Sequence, residues 1–272
     1  MTGFWRMTGR VLRNGLPGLI ALLLGITLFE FVQPLVIASF GGASGLNAIM
    51  SRIPPALQVF IRARPEFLAM SGLAGYLSLG FTHPLYIVLA GAAIVGFAAR
   101  SLAGEMDRGI IQIPLARPIT RHAVYLSRAL GVTIICVLLV LIGAVGMITG
   151  ILYARPGEFP FRHLVPVGVT GFAFFWAIGG ISLFASALAN TTGRVVGWVL
   201  GILVFSYFVD YFAEIWEPLE SITFLSLFAY YDPTWALVYG EVIARDLIVL
   251  FAVGAVLAIA GLVIFTRRDL PA

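Results

Sequence analysis

The chain is 272 residues long, 60% hydrophobic and only 11% charged, with a mean hydropathy of +1.02, whereas a soluble domain carries about 25% charged residues; too little charge is present to face a globule of this size towards water, so a bilayer must cover it. All 17 basic residues are arginine, which excludes from these residues the phosphate-binding loop G-x-x-x-x-G-K-[ST], whose lysine reaches the nucleotide phosphates. The formal charge of +4 comes from arginines scattered between apolar runs, which argues against nucleic acid as a partner, and the lone Cys136 excludes an intrachain disulfide or a cysteine metal cluster.

Crossing a hydrocarbon core of about 30 Å takes roughly 20 apolar residues in a helix, and six segments meet or approach that length. The first, Pro17 to Ala38, follows Arg6, Arg10 and Arg13 and is too long for the apolar region of a signal peptide, so it reads as an uncleaved span. It carries Glu30, which the helical rise places roughly 20 Å along the span. An ionised carboxylate there is costly and should face protein or water; it is a candidate for a transport path, or it accepts a hydrogen bond from a neighbouring span, or it is simply neutral. Residues Ser44 to Phe81 are apolar but broken by Pro and Gly, which predicts an interfacial or re-entrant segment packed against protein.

The second span is Pro84 to Ala103. After it, Arg100 to Arg128 holds five of the arginines together with Glu105 and Asp107. Here Leu102, Met106, Ile110 and Ile113 recur at helical spacing, which predicts a helix lying on the membrane surface, with Glu105 and Arg108 three apart on its polar side. Pro114 ends that helix, the Arg117-Pro118 step is extended, and Thr120 can cap a new helix. This stretch is either an ordinary positively charged loop or a rigid docking element for a soluble partner. Four spans follow: Ala129 to Tyr153, Leu164 to Leu188, Val195 to Ala213 with Asp210 near its end, and Leu247 to Thr266. Before the last of them, Ser221 to Asp232 is again too apolar for a plain loop. Small residues such as Gly146, Gly150, Gly179 and Gly180 suit close helix packing. His83, His122 and His163 fall on different faces, so no metal site follows.

Positive residues stay on the cytoplasmic side. With the N-terminus inside, that side receives Arg6, Arg10, Arg13, the five from Arg100 to Arg128, Arg194, Arg267 and Arg268, against six elsewhere. Both termini are then cytoplasmic. The reading is an all-α membrane protein, 1–272 forming one transmembrane domain of six helices with a cytoplasmic coupling helix and re-entrant or interfacial segments outside.

Three stretches carry a resemblance. Gly104-Glu105-Met106-Asp107-Arg108-Gly109 leads through Pro114 to Arg117-Pro118-Ile119-Thr120-Arg121; Leu225 to Pro233 reads L-S-L-F-A-Y-Y-D-P; and Phe265 to Leu270 reads F-T-R-R-D-L. Together they resemble the permeases of ABC-type exporters of the type-2 class. The sequence departs from that pattern at Leu227, where Pro is common, and at Ile110, where Thr is frequent. The resemblance implies a permease that pairs with a second copy, identical or different, and with two cytoplasmic ABC ATPase subunits. It implies that ATP and Mg are held by those subunits and no cofactor by this chain, and that Glu105, Asp107, Arg108, Gly109, Arg117, Pro118 and Arg121 couple to the ATPase. An intramembrane enzyme needs clustered acids, histidines or an activated serine within the spans, and a secondary transporter usually shows paired broken helices; these are the competing readings.

Overall fold

The computed structural model describes residues 8, 9, 13, 15–52, 65–110, 119–213 and 215–269, and among them there are helices and turns but no strand. The helices, in chain order, are α1 Leu16–Ser39, α2 Gly42–Met50, α3 Pro65–Thr82, α4 Pro84–Ser101, α5 Ala103–Asp107, α6 Arg121–Ala154, α7 Leu164–Leu188, α8 Thr192–Ala213, α9 Pro233–Tyr239 and α10 Ala244–Arg267. Six of them, α1, α4, α6, α7, α8 and α10, are long and apolar enough to cross a membrane. They match the six expected spans. The clearest difference is α6, which begins at Arg121 rather than Ala129, because the Thr120 hydroxyl accepts the Ala123 N–H at 3.2 Å and caps the helix there.

Local chemistry sets the other starts as well. Pro17, Pro84 and Pro233 stand in first turns, where a missing N–H leaves no intrahelical bond unmade. His83 accepts the Leu85 N–H at 3.1 Å, and Asp232 accepts the Trp235 N–H at 2.8 Å. His83 is also the single residue between α3 and α4.

The centre of the bundle is α7, apolar on every face and buried along most of its length, as a helix without a polar side must be. It packs chiefly against α10, and also against α4, α6 and α9. The α7–α10 crossing is backbone on backbone: a Cβ on Gly180 would lie 2.2 Å from the Gly254 carbonyl oxygen. The α1–α6 crossing is similar, since a Cβ on Gly146 or Gly150 would come within 2.5 Å of the Thr27 or Phe31 carbonyl oxygen. Such approach gives helices in lipid the dispersion contact that the hydrophobic effect does not supply there.

The apolar stretch before α9 is built of two 3-10 segments, Glu217–Leu225 and Phe228–Tyr230. It is tied into the bundle by side chains. The Ser226 hydroxyl donates to the Ser206 carbonyl at 2.8 Å, and the Leu227 N–H donates to the Ser206 hydroxyl at 2.8 Å. Tyr231 stacks on Phe174 of α7 with centroids 4.3 Å apart and donates to the Phe81 carbonyl at 3.0 Å. Burial pushes the Tyr231 phenol above its usual range, and the nearby Glu30 adds to that push.

Candidate functional site

One end of the bundle gathers the ends of α4, α7 and α10 and the starts of α1, α6 and α8. Most of the coupling residues expected from sequence lie here; Arg117 and Pro118 are outside the described residues. The surface helix expected through Leu102, Met106, Ile110 and Ile113 is not what forms. The helix in its place is α5, only five residues long, with Leu102, Ala103, Gly104 and Met106 buried.

The reason for the short helix is a cap that periodicity does not register. Gly109 takes the left-handed conformation at φ +65°, its N–H donates to the Met106 carbonyl at 3.0 Å, and the Ile110 N–H reaches back to the Glu105 carbonyl at 2.9 Å. That pair of bonds is a Schellman motif, which closes a helix at a glycine. The Arg108-Gly109 step is therefore a stop signal, and Ile113 lies outside the described residues.

The expected pairing of Glu105 with Arg108 is also replaced. Glu105 accepts from Arg128, 23 residues on, with one guanidinium nitrogen at 2.9 and 3.0 Å from the two carboxylate oxygens. Arg128 also donates through Nε to the Ser101 carbonyl at 3.2 Å, while Arg108 donates to the Gly104 carbonyl of its own turn at 2.9 Å. Arg128 is 3% exposed, so its charge is stabilised by these partners rather than by water. In the sequence it counted only as one more positive residue. Its position on the buried stripe of α6, with Val124, Val132 and Ile135, was the available signal.

A second set of contacts holds α5 against the bundle. The Ser186 hydroxyl of α7 donates to the Ala98 carbonyl at 2.7 Å and accepts the Ala103 N–H at 3.1 Å, bridging the break between α4 and α5. Asp107 lies 3.5 Å from the Thr192 N–H, at the N-terminus of α8, where a negative charge is favoured. Two of the stretches that carried the family resemblance meet directly. Arg121 donates to the carbonyls of Arg268, at 2.5 Å, and Thr266, placing a cation at the C-terminus of α10. Arg268 in turn donates to the Ala187 carbonyl at 2.9 Å and to Asn190. Asp107, Arg108 and Gly109 remain exposed at the surface of this assembly.

Glu30 lies elsewhere, 14 residues into α1 and fully buried, and neither carboxylate oxygen has a hydrogen-bond partner among the described residues. Among the described residues no donor from a neighbouring span reaches it. It fits between Gly80 of α3 and Gly146 of α6: a Cβ at either would come within 3.0 Å of its side chain. Close by, Phe81, Tyr86, Val140, Ala144 and Tyr231 line a small cavity between α4, α6 and α7.

The family model described as ABC-2 family transporter protein matches residues 20–270. The chain belongs to that family. It is thus a multi-pass membrane protein, the permease component of an ABC-type transporter, and its role is transport rather than catalysis. Members of the family generally work with an ATPase subunit. No curated protein matches the chain.

Proposed function

We propose that this chain is the permease subunit of an exporter driven by a separate ATPase, and that the end of the bundle built around α5 receives the force. In this reading the 272 residues form one transmembrane domain with both termini in the cytoplasm. Two such permeases, identical or different, assemble with two ATPase subunits, which hold ATP and Mg. Asp107, Arg108 and Gly109, with Arg117 and Pro118 beyond them, form the contact surface.

Glu105 has a different part from the one a surface helix would give it. The observation that carries the proposal is the connection from this turn into the spans. Glu105 is joined to α6 through Arg128, the start of α5 to α7 through Ser186, and Arg121 to the end of α10. A displacement of α5 is therefore passed directly to α6 and α7, and through Arg121 of α6 to the end of α10, by hydrogen-bonded contacts. Such a push biases which of two bundle packings is populated, the usual way in which local contacts drive a rigid-body change. Glu30 belongs to the opposite role, a polar group on or beside the path that the alternate packing opens.

The test begins with the reading frame beside this gene. A soluble chain with a lysine-containing phosphate loop should co-purify with the permease, and the permease should stimulate its ATP hydrolysis. Replacing both Asp107 and Arg108 with Ala should remove that stimulation in a permease that still elutes as a folded species. Stimulation at the unmodified level would remove the contact role given to the turn.

A further inference from the structure

One exposed residue, His83, both ends α3 and starts α4. Its N–H donates to the Gly80 carbonyl at 3.2 Å, and its Nδ1 accepts the Leu85 N–H at 3.1 Å. The second bond is a helix cap of the kind ordinarily made by the oxygen of serine, threonine, asparagine or aspartate. A histidine in that place differs in one respect, because its acceptor can be lost to a proton.

The cap fixes the protonation of the ring. A backbone N–H only donates, so Nδ1 carries its lone pair and the proton of the neutral ring is on Nε2. An imidazole takes up its second proton between about pH 5 and 8, and here that proton goes to Nδ1. A donor then faces a donor. The new cation also stands at the positive end of an 18-residue helix, where charge of its sign is disfavoured. Both effects have the same sign: the cap is present while the ring is neutral and is lost as the pH falls through the range in which the ring charges.

Nothing around the ring offsets this. From α1 it meets Phe29, with centroids 5.1 Å apart, and among the described residues no acid pairs with it. The ionisable groups of the neighbouring elements are turned elsewhere. Glu30 of α1 lies against Gly80 and Gly146, Tyr86 of α4 lines the cavity towards α6 and α7, and Tyr231 donates to the Phe81 carbonyl of α3.

We infer that His83 is a pH-sensitive joint: a second proton on its imidazole releases the first turn of α4 from α3, at the end of that span away from α5. The inference concerns the joint alone and stands whether or not the transporter is an exporter. Only the side of the membrane whose pH is read, the outside, rests on the topology proposed above.

Hydrogen exchange of the full chain in detergent, corrected for the intrinsic dependence of exchange on pH, tests it. In the unmodified protein the peptide carrying the Leu85 amide should lose about fivefold in protection between pH 7.5 and pH 5.5, the scale of one helix cap, while a peptide from the middle of α4 does not change. His83→Asn and His83→Asp both retain a capping side chain and neither titrates between these pH values, so each should keep its protection at both. The measurement on the unmodified protein needs no variant to fold. Equal protection of the Leu85 peptide at the two pH values, or a loss on acidification that persists in the two variants, would overturn the joint.

Discussion

Two carboxylates on the helices of this chain have opposite environments. Glu105, half-buried on α5, is gripped by Arg128 with both oxygens engaged, and the arginine is held in turn by a backbone carbonyl. Glu30, fully buried on α1, has neither oxygen hydrogen-bonded among the described residues. A buried pair is strongly damaged by the loss of one member, because the survivor keeps its charge without compensation. Among the described residues Glu30 has no pair to lose, so it adds no ion-pair cohesion to this packing. The α5 end is thus held by charge-assisted hydrogen bonds, whereas the middle of α1 buries a carboxyl that none of the described residues hydrogen-bonds.

The comparison can be broken most directly at Arg128. Replacing it with Ala removes the guanidinium that Glu105 and the Ser101 carbonyl share and should cost about 3 kcal/mol, read as a fall in the denaturation midpoint of the purified permease. A midpoint that does not move would mean the pair contributes no cohesion. Gly180→Leu should follow at about 2 kcal/mol, because the added atoms meet the Gly254 backbone, which can yield only by separating α7 from α10. Gly109→Ala should cost about 1 kcal/mol, the strain of a left-handed residue with a Cβ, and should be felt more in ATPase coupling than in global unfolding because the turn is at the surface. Glu30→Gln comes last, with a change in stability under about 1 kcal/mol but a measurable loss of transport. Unimpaired transport by that variant would leave Glu30 with no part in the path.

The spans were legible because the bilayer imposes a length and a composition that few other structures require. The small residues of α6 and α7 likewise announced close contacts, which Gly146, Gly150 and Gly180 make. Thr120 was readable as a cap because its chemistry acts within three residues. The α5 turn was misread for the complementary reason. Leu102, Met106 and Ile110 keep helical spacing past the point where Gly109 ends the helix, so the period continued after the structure had stopped. The partner of Glu105 was beyond reach because helix neighbours at three or four residues are visible in sequence, and a contact with Arg128 requires knowing how α4 and α6 cross. The same limit applied to Glu30: its position was readable, while the absence of a donor among the described residues of neighbouring helices is a fact of packing.

The most direct test of the α5 end as a force-bearing connection is ATP hydrolysis by the reconstituted permease and ATPase when the charges of the Glu105–Arg128 pair are reversed. Glu105→Arg or Arg128→Glu alone should uncouple hydrolysis from the permease, and the two together should recover a substantial part of the coupling. Either single variant hydrolysing ATP with unmodified stimulation would contradict the account.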